Sequence, residues 1–178
     1  MTYFDELKRT MEWLAQQTET IFIGQTVAGP GTFMYQTLRD VPAEKTLEMP
    51  INESFQMQFT IGVALAGFVP ISVYPRQNFL LLAVSDMVNM LDKIPVIAGE
   101  QWPAKVIIRV AAGPFEPIHP GHQHVGNYIE AFKKMFTSIE VHELLEPEDI
   151  FPAYQRAYER TDGRSTLLIE HGNFYSQK

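Results

Sequence analysis

The chain has 178 residues, of which 46% are hydrophobic and 20% charged, values that suit one compact domain with a real core. Its formal net charge of −7 gives no general attraction for nucleic acid or an anionic membrane, and the absence of cysteine excludes disulfides, thiolate catalysis and cysteine-ligated zinc. No signal peptide or bilayer-spanning segment is expected, and the composition fits a cytoplasmic protein.

Phe4, Leu7, Met11 and Leu14 recur at helical spacing and predict an amphipathic helix over about 3–17. Thr20-Ile21-Phe22-Ile23-Gly24 is a short apolar run ended by glycine and reads as a buried strand. Val27 to Gly31 has loop chemistry, and Gly29-Pro30-Gly31 matches no nucleotide-binding fingerprint. A weak strand over Thr46–Met49 stops at Pro50. Asn52 to Gly67 reads as a helix with small residues that permit close packing, and it is apolar on too many sides for a surface helix. Val69–Tyr74 is a strand, about 78–93 a helix, and Lys105–Val110 a continuous apolar strand of the kind found inside parallel sheets. Residues 125–136 read as helix, Ile139–Val141 as strand, 147–160 as helix and Thr166–Glu170 as the last strand.

Strands alternating with helices predict a three-layer α/β domain, a parallel sheet covered on both faces, spanning 1–178 as a single unit. In such sheets ligands sit at the carboxyl ends of the strands. The loops after Ile23, Met49, Tyr74 and Val110 are therefore the places to look. The stretch Ala111 to Gln123, rich in Gly, Pro and His, is long enough to be functional.

Several motifs occur in one order along residues 20–175. Glu48-Met49-Pro50-Ile51-Asn52-Glu53 leads into Ile61-Gly62-Val63-Ala64-Leu65-Ala66-Gly67-Phe68-Val69-Pro70-Ile71. Phe22 to Val27 precedes them, and Ile108-Arg109-Val110-Ala111-Ala112-Gly113-Pro114, Ser138-Ile139-Glu140-Val141 and Leu168-Ile169-Glu170 follow. Together they resemble the pyrimidine-binding domain of the transketolase group of thiamine-diphosphate enzymes. The nearest pattern is the beta subunit of the 2-oxoacid dehydrogenase decarboxylating component.

The resemblance implies thiamine diphosphate as cofactor and Glu53 as the carboxylate paired with the aminopyrimidine nitrogen. That pairing favours the imino tautomer, which removes a proton from the thiazolium carbon. It also implies an aminopyrimidine pocket that includes Gln25, Ile51 and Phe79, and a histidine, His122 or His124, facing the reacting end. Magnesium and the diphosphate are expected on a partner chain, because this sequence lacks the Gly-Asp-Gly segment that holds them. A dimer or heterotetramer and a 2-oxoacid or ketose substrate follow from the same pattern.

Departures are also visible. Gln25 stands where the family has a carboxylate, Arg76 lies near a usual aromatic position, and Ser85-Asp86 shifts an aspartate-led pattern that keeps Asn89. The family's second domain is not expected here. These departures suit the alternative of a non-catalytic assembly or regulatory module.

From the residues alone, other readings stand beside these. Glu53 is also a favourable helix-start residue with Asn52 as its cap. Phe79 fits ordinary core packing. His119, His122 and His124 form a cluster at short spacing, but the Pro-Gly turn does not arrange them for zinc. Arg109 ends a buried strand and could pair with a substrate, a partner or an internal carboxylate.

Overall fold

The computed structural model describes residues 1–98, 101–116 and 119–176; Pro117 and Ile118 of the long loop lie outside the described residues. Six parallel strands form one sheet in the order β2-β1-β3-β4-β6-β5. They are β1 (Thr20–Gly24), β2 (Thr46–Glu48), β3 (Val69–Tyr74), β4 (Ile107–Ala112), β5 (Glu140–Glu143) and β6 (Thr166–His171). Every residue of β3 and β4 is buried, as a central strand covered on both faces requires.

Helices α1 (Tyr3–Ala15) and α7 (Pro147–Glu159) cover one face of the sheet. Their buried stripe is Tyr3, Leu7, Met11 and Leu14 against Ile150, Ala153, Tyr154 and Ala157. Tyr3 takes the inward position that the sequence pattern assigns to Phe4, because its hydroxyl has partners there. It donates to Leu144 O (2.9 Å) and accepts from the His171 amide (3.0 Å), tying the first turn of α1 to the ends of the last two strands.

The other face carries α2 (Glu53–Leu65), a broken helical segment and α6 (Ile129–Met135). Asn52 caps α2, its side chain accepting from the Phe55 amide (2.9 Å), and Gly67 ends the helix at φ +94°, where a side chain is disfavoured. Gly24 is needed where β1 meets β3: a Cβ there would lie 2.6 Å from Val73 O.

The single helix expected over 78–93 is four pieces. They are α3 (Gln77–Leu80), a 3-10 turn (Leu81–Ala83), α4 (Val84–Asp86) and a π turn (Met87–Leu91), with α5 (Ile94–Ile97) beyond. The wider π turn delivers Asp92, fully buried, to the start of β5. There its carboxylate accepts from the amides of Thr137, Ser138 and Ile139 at 2.7–3.1 Å. With those amides engaged, β5 starts at Glu140 rather than Ile139. Helix α6 is shorter than expected because Tyr128 N donates to Gln77 Oε1 (2.7 Å) and Ile129 N to Asn127 Oδ1 (3.1 Å). The chain before it forms only a 3-10 turn, His122–His124.

Candidate functional site

From β1 the chain builds outward in both directions: β2 lies on one side and β3 on the other. This reversal opens a crevice at the carboxyl ends of β1 and β3, the usual ligand position in an open parallel sheet. Glu53 enters from the β2–α2 corner as the first residue of α2. It is 6% exposed, and no hydrogen bond or ion pair of its carboxylate is present among the described residues. Tyr74, at the end of β3, donates its hydroxyl to Glu53 O (3.4 Å) and so holds the corner against the strand. Burial, and to a smaller degree the Glu53 charge, raises the Tyr74 phenol well above its ordinary value, so Tyr74 remains a neutral donor.

Gln56 lies one helical turn after Glu53 on the same face and is completely buried. Its amide nitrogen donates to Val73 O (3.0 Å) and Ser72 Oγ (3.2 Å), while Oε1 is buried with no partner. Gln25, in the loop after β1, has a buried Nε2 without a partner. An unpaired carboxylate, a free amide oxygen and a free amide nitrogen therefore lie around the ends of β1 and β3. Buried polar atoms are ordinarily satisfied, so this concentration marks a place for a polar ligand or ordered water.

A second group collects at the ends of β3 and β4. Phe79 is half-buried against the His124 ring, with ring centroids 5.2 Å apart. His124 Nδ1 is buried without a partner. Arg76 donates to Pro114 O (3.2 Å) and, at longer range, to His124 O (3.5 Å), joining the start of α3 to the loop after β4. His122 is exposed on the 3-10 turn, its ring 6.2 Å from that of His119, whose Nδ1 accepts from Gly121 N (3.1 Å). Only His124 of the three packs on Phe79. Among the described residues no three His, Asp or Glu side chains are grouped to hold a metal ion.

Ile51 is 86% exposed on the loop before α2, away from any pocket wall of this chain. It begins an apolar surface that continues through Phe55 and Phe59 on α2, whose rings are 6.3 Å apart, with Leu81 and Leu82 also exposed on the following segment.

Arg109 does not reach the crevice. It pairs with Glu170 inside the α1/α7 face, which leaves the internal carboxylate as the correct reading of the three.

Sequence reasoning missed Gln56 and Gln77. The available signal for Gln56 was a polar residue on the inward face of an otherwise apolar helix. Glu48 was also missed as an anchor. Its carboxylate accepts from the amides of Thr26 (2.5 Å), Val27 (2.9 Å) and Ala28 (3.0 Å), with Thr26 at φ +57°, and so shapes the loop that carries Gln25.

Known proteins share this architecture. A chain of a split-gene transketolase, from an inactive β4 tetramer, superposes with a TM-score of 0.72 at 13% identity over 96% of this chain and 51% of that one. The fold is transketolase-like. A transketolase from Campylobacter jejuni agrees, with a TM-score of 0.70 at 11% identity over 95% of this chain and 25% of that one.

In sequence, the transketolase-like chain is similar to two proteins named pyruvate dehydrogenase E1 component subunit beta. The one from Gracilaria tenuistipitata var. liui is 23% identical over 98% of this chain and 54% of its own length. The one from Rhizobium meliloti (strain 1021) is 26% identical over 64% of this chain and 25% of its own. The chain thus spans about half the length of the first relative and a quarter of the second. No family model matches it. Among the described residues no helix is long and apolar enough to cross a membrane.

Proposed function

We propose that this chain is the aminopyrimidine-binding subunit of a thiamine-diphosphate-dependent enzyme acting on a 2-oxoacid or a ketose. The observation that carries the proposal is Glu53: a carboxylate at a helix start, buried at the strand ends, with no partner in the described chain. The transketolase-like fold and the similarity to the two beta subunits support it.

The residues present suit the ring. Glu53 offers a charged acceptor to a ring nitrogen, and in a site shielded from water that hydrogen bond is strong. Gln56 Oε1 adds a neutral acceptor for an amino group, and Gln25 Nε2 adds a donor. Phe79 supplies an apolar wall for a flat heterocycle. When bound, thiamine diphosphate supplies the activated carbon that attacks the substrate carbonyl. This chain's part is to hold the ring's proton balance through Glu53, to orient the ring, and to exclude water. His124, packed on Phe79 and with a free Nδ1, is the better placed of the two histidines to exchange a proton with bound substrate. His122 and Ile51, both exposed, would meet substrate or cofactor only where a second chain closes over them.

A partner chain supplies magnesium and the contacts to the diphosphate, and it covers the apolar surface around Ile51, Phe55 and Phe59. Exposed apolar patches of this kind mark protein interfaces. The test is hydrogen–deuterium exchange at the thiazolium carbon, in the complex with a diphosphate-binding chain encoded beside this one. Glu53→Gln is expected to slow exchange by about 100- to 10,000-fold while weakening cofactor binding only modestly. Equal exchange in variant and wild type would remove Glu53 from the chemistry.

A further inference from the structure

Arg76 combines two properties that no other described arginine shares. Arg109 and Arg160 are buried or largely buried, but each is paired with a carboxylate. Arg9 and Arg164 also reach carboxylates. Arg39 and Arg156 have no such partner but are exposed to water. Arg76 is half-buried, and among the described residues its guanidinium contacts only two carbonyls, Pro114 O and His124 O. Carbonyl dipoles leave its formal charge uncompensated. Burial lowers its affinity for the proton, a sign that the charged form is held at a cost. In a chain of net charge −7, a carboxylate partner would have been easy to supply. Nε and Nη2 remain without an acceptor, and His124 Nδ1, in the residue whose carbonyl Arg76 touches, is buried and unpartnered.

We propose that Arg76, with His124 beside it, receives a remote acidic group of the substrate, an oxyanion that stays charged throughout the reaction. The planar fork of a guanidinium matches two oxygens of a carboxylate or phosphate. The inference rests on the proposed function for the word substrate, but the anion site itself does not. The carboxylate lost in a 2-oxoacid decarboxylation is the wrong occupant. An arginine paired with it would stabilise the starting state more than the transition state and so slow the step. A group at the far end of the molecule suffers no such penalty, because its interaction is the same before and during the reaction. The substrate class is therefore a 2-oxo diacid or a phosphorylated ketose, which share the remote oxyanion.

The experiment uses the purified full chain without cofactor. It is titrated separately with 2-oxoglutarate, fructose 6-phosphate and pyruvate while the arginine Nε–H signals are followed by NMR. The Arg76 signal is expected to move saturably with one or both of the first two, with affinity about tenfold or more above that for pyruvate. Whichever saturates first identifies carboxylate or phosphate. Arg76→Lys, which keeps the charge but not the fork, should weaken the response about tenfold. The exposed Arg39 should move little. No saturable movement of Arg76 up to about 50 mM, or equal movement of Arg39 and Arg76, would overturn the proposal. Because no thiamine diphosphate is present, saturation at Arg76 together with unaltered exchange in Glu53→Gln would keep the anion site and remove the thiamine reading. The reverse pair of results would remove the anion site alone.

Discussion

Arg109 on β4 and Glu170 on the adjacent β6 are joined by two hydrogen bonds, 2.9 and 3.1 Å, and neither side chain is exposed. Arg109 Nη2 also donates to Thr37 Oγ1 (2.8 Å) and Tyr175 OH (3.2 Å), so the pair draws the 3-10 turn Met34–Leu38 and the C-terminal turn Gly172–Ser176 onto the sheet. Removing one partner leaves a bare buried charge. Glu170→Gln is expected to lower stability to urea by about 3–5 kcal/mol, and Arg109→Met by a similar amount. The double variant Arg109→Met/Glu170→Leu should be closer to wild type than either single change. Single losses below about 1 kcal/mol would mean that the pair is solvated in solution.

Asp92 predicts an acid-sensitive joint. Burial pushes its carboxyl up. Hydrogen bonds from Lys93, Thr137 and the amides of Ile139 and Ser138 outweigh that and hold it well below the ordinary carboxylate value. A depressed folded-state value means that the stabilisation is fully present above the unfolded value of about 3.9. It fades as pH falls through the lower folded value. Asp92→Asn should therefore lose about 1–3 kcal/mol at neutral pH. Its deficit relative to wild type should shrink below about pH 4 in denaturation curves. A deficit that stays constant with pH would contradict this account.

Glu53 offers a contrast between stability and activity. Its carboxylate has no side-chain partner among the described residues, although it gains from the start of α2. Glu53→Gln should leave the isolated chain within about 1 kcal/mol of wild type in thermal unfolding. The same change should reduce turnover in the full complex by about 100-fold or more. A large stability loss with activity retained would make Glu53 a structural residue.

The apolar surface makes a prediction about assembly. Ile51, Phe55 and Phe59 are exposed at 86%, 46% and 39%, values that a lone surface helix does not need. The chain is expected to self-associate, or to bind its partner, through this surface. Phe59→Asp should abolish association in sedimentation velocity while leaving the circular dichroism spectrum unchanged. Persistence of the larger species would place the contact elsewhere.

Much of this molecule was legible in local sequence. The bounds of β3, the Asn52 cap, the apolar rhythm of α1 and the alternation of strand and helix all follow from interactions between residues a few positions apart. The place of Glu53 was legible for the same reason, since a strand, a proline and a cap leave few conformations for that corner. Other features depend on groups far apart in the chain. The breaks in the 77–97 segment arise as Asp92 meets the amides of Thr137 to Ile139, about 45 positions away. Arg109 finds Glu170 61 positions on, which no strand pattern could assign. His124 rather than His122 meets Phe79 because the 3-10 turn rolls one ring inward and leaves the other in water. Local periodicity determines which face of each element is apolar. Which buried polar atoms find partners, and which remain free for a ligand, is decided only when the elements pack and remove water from between them.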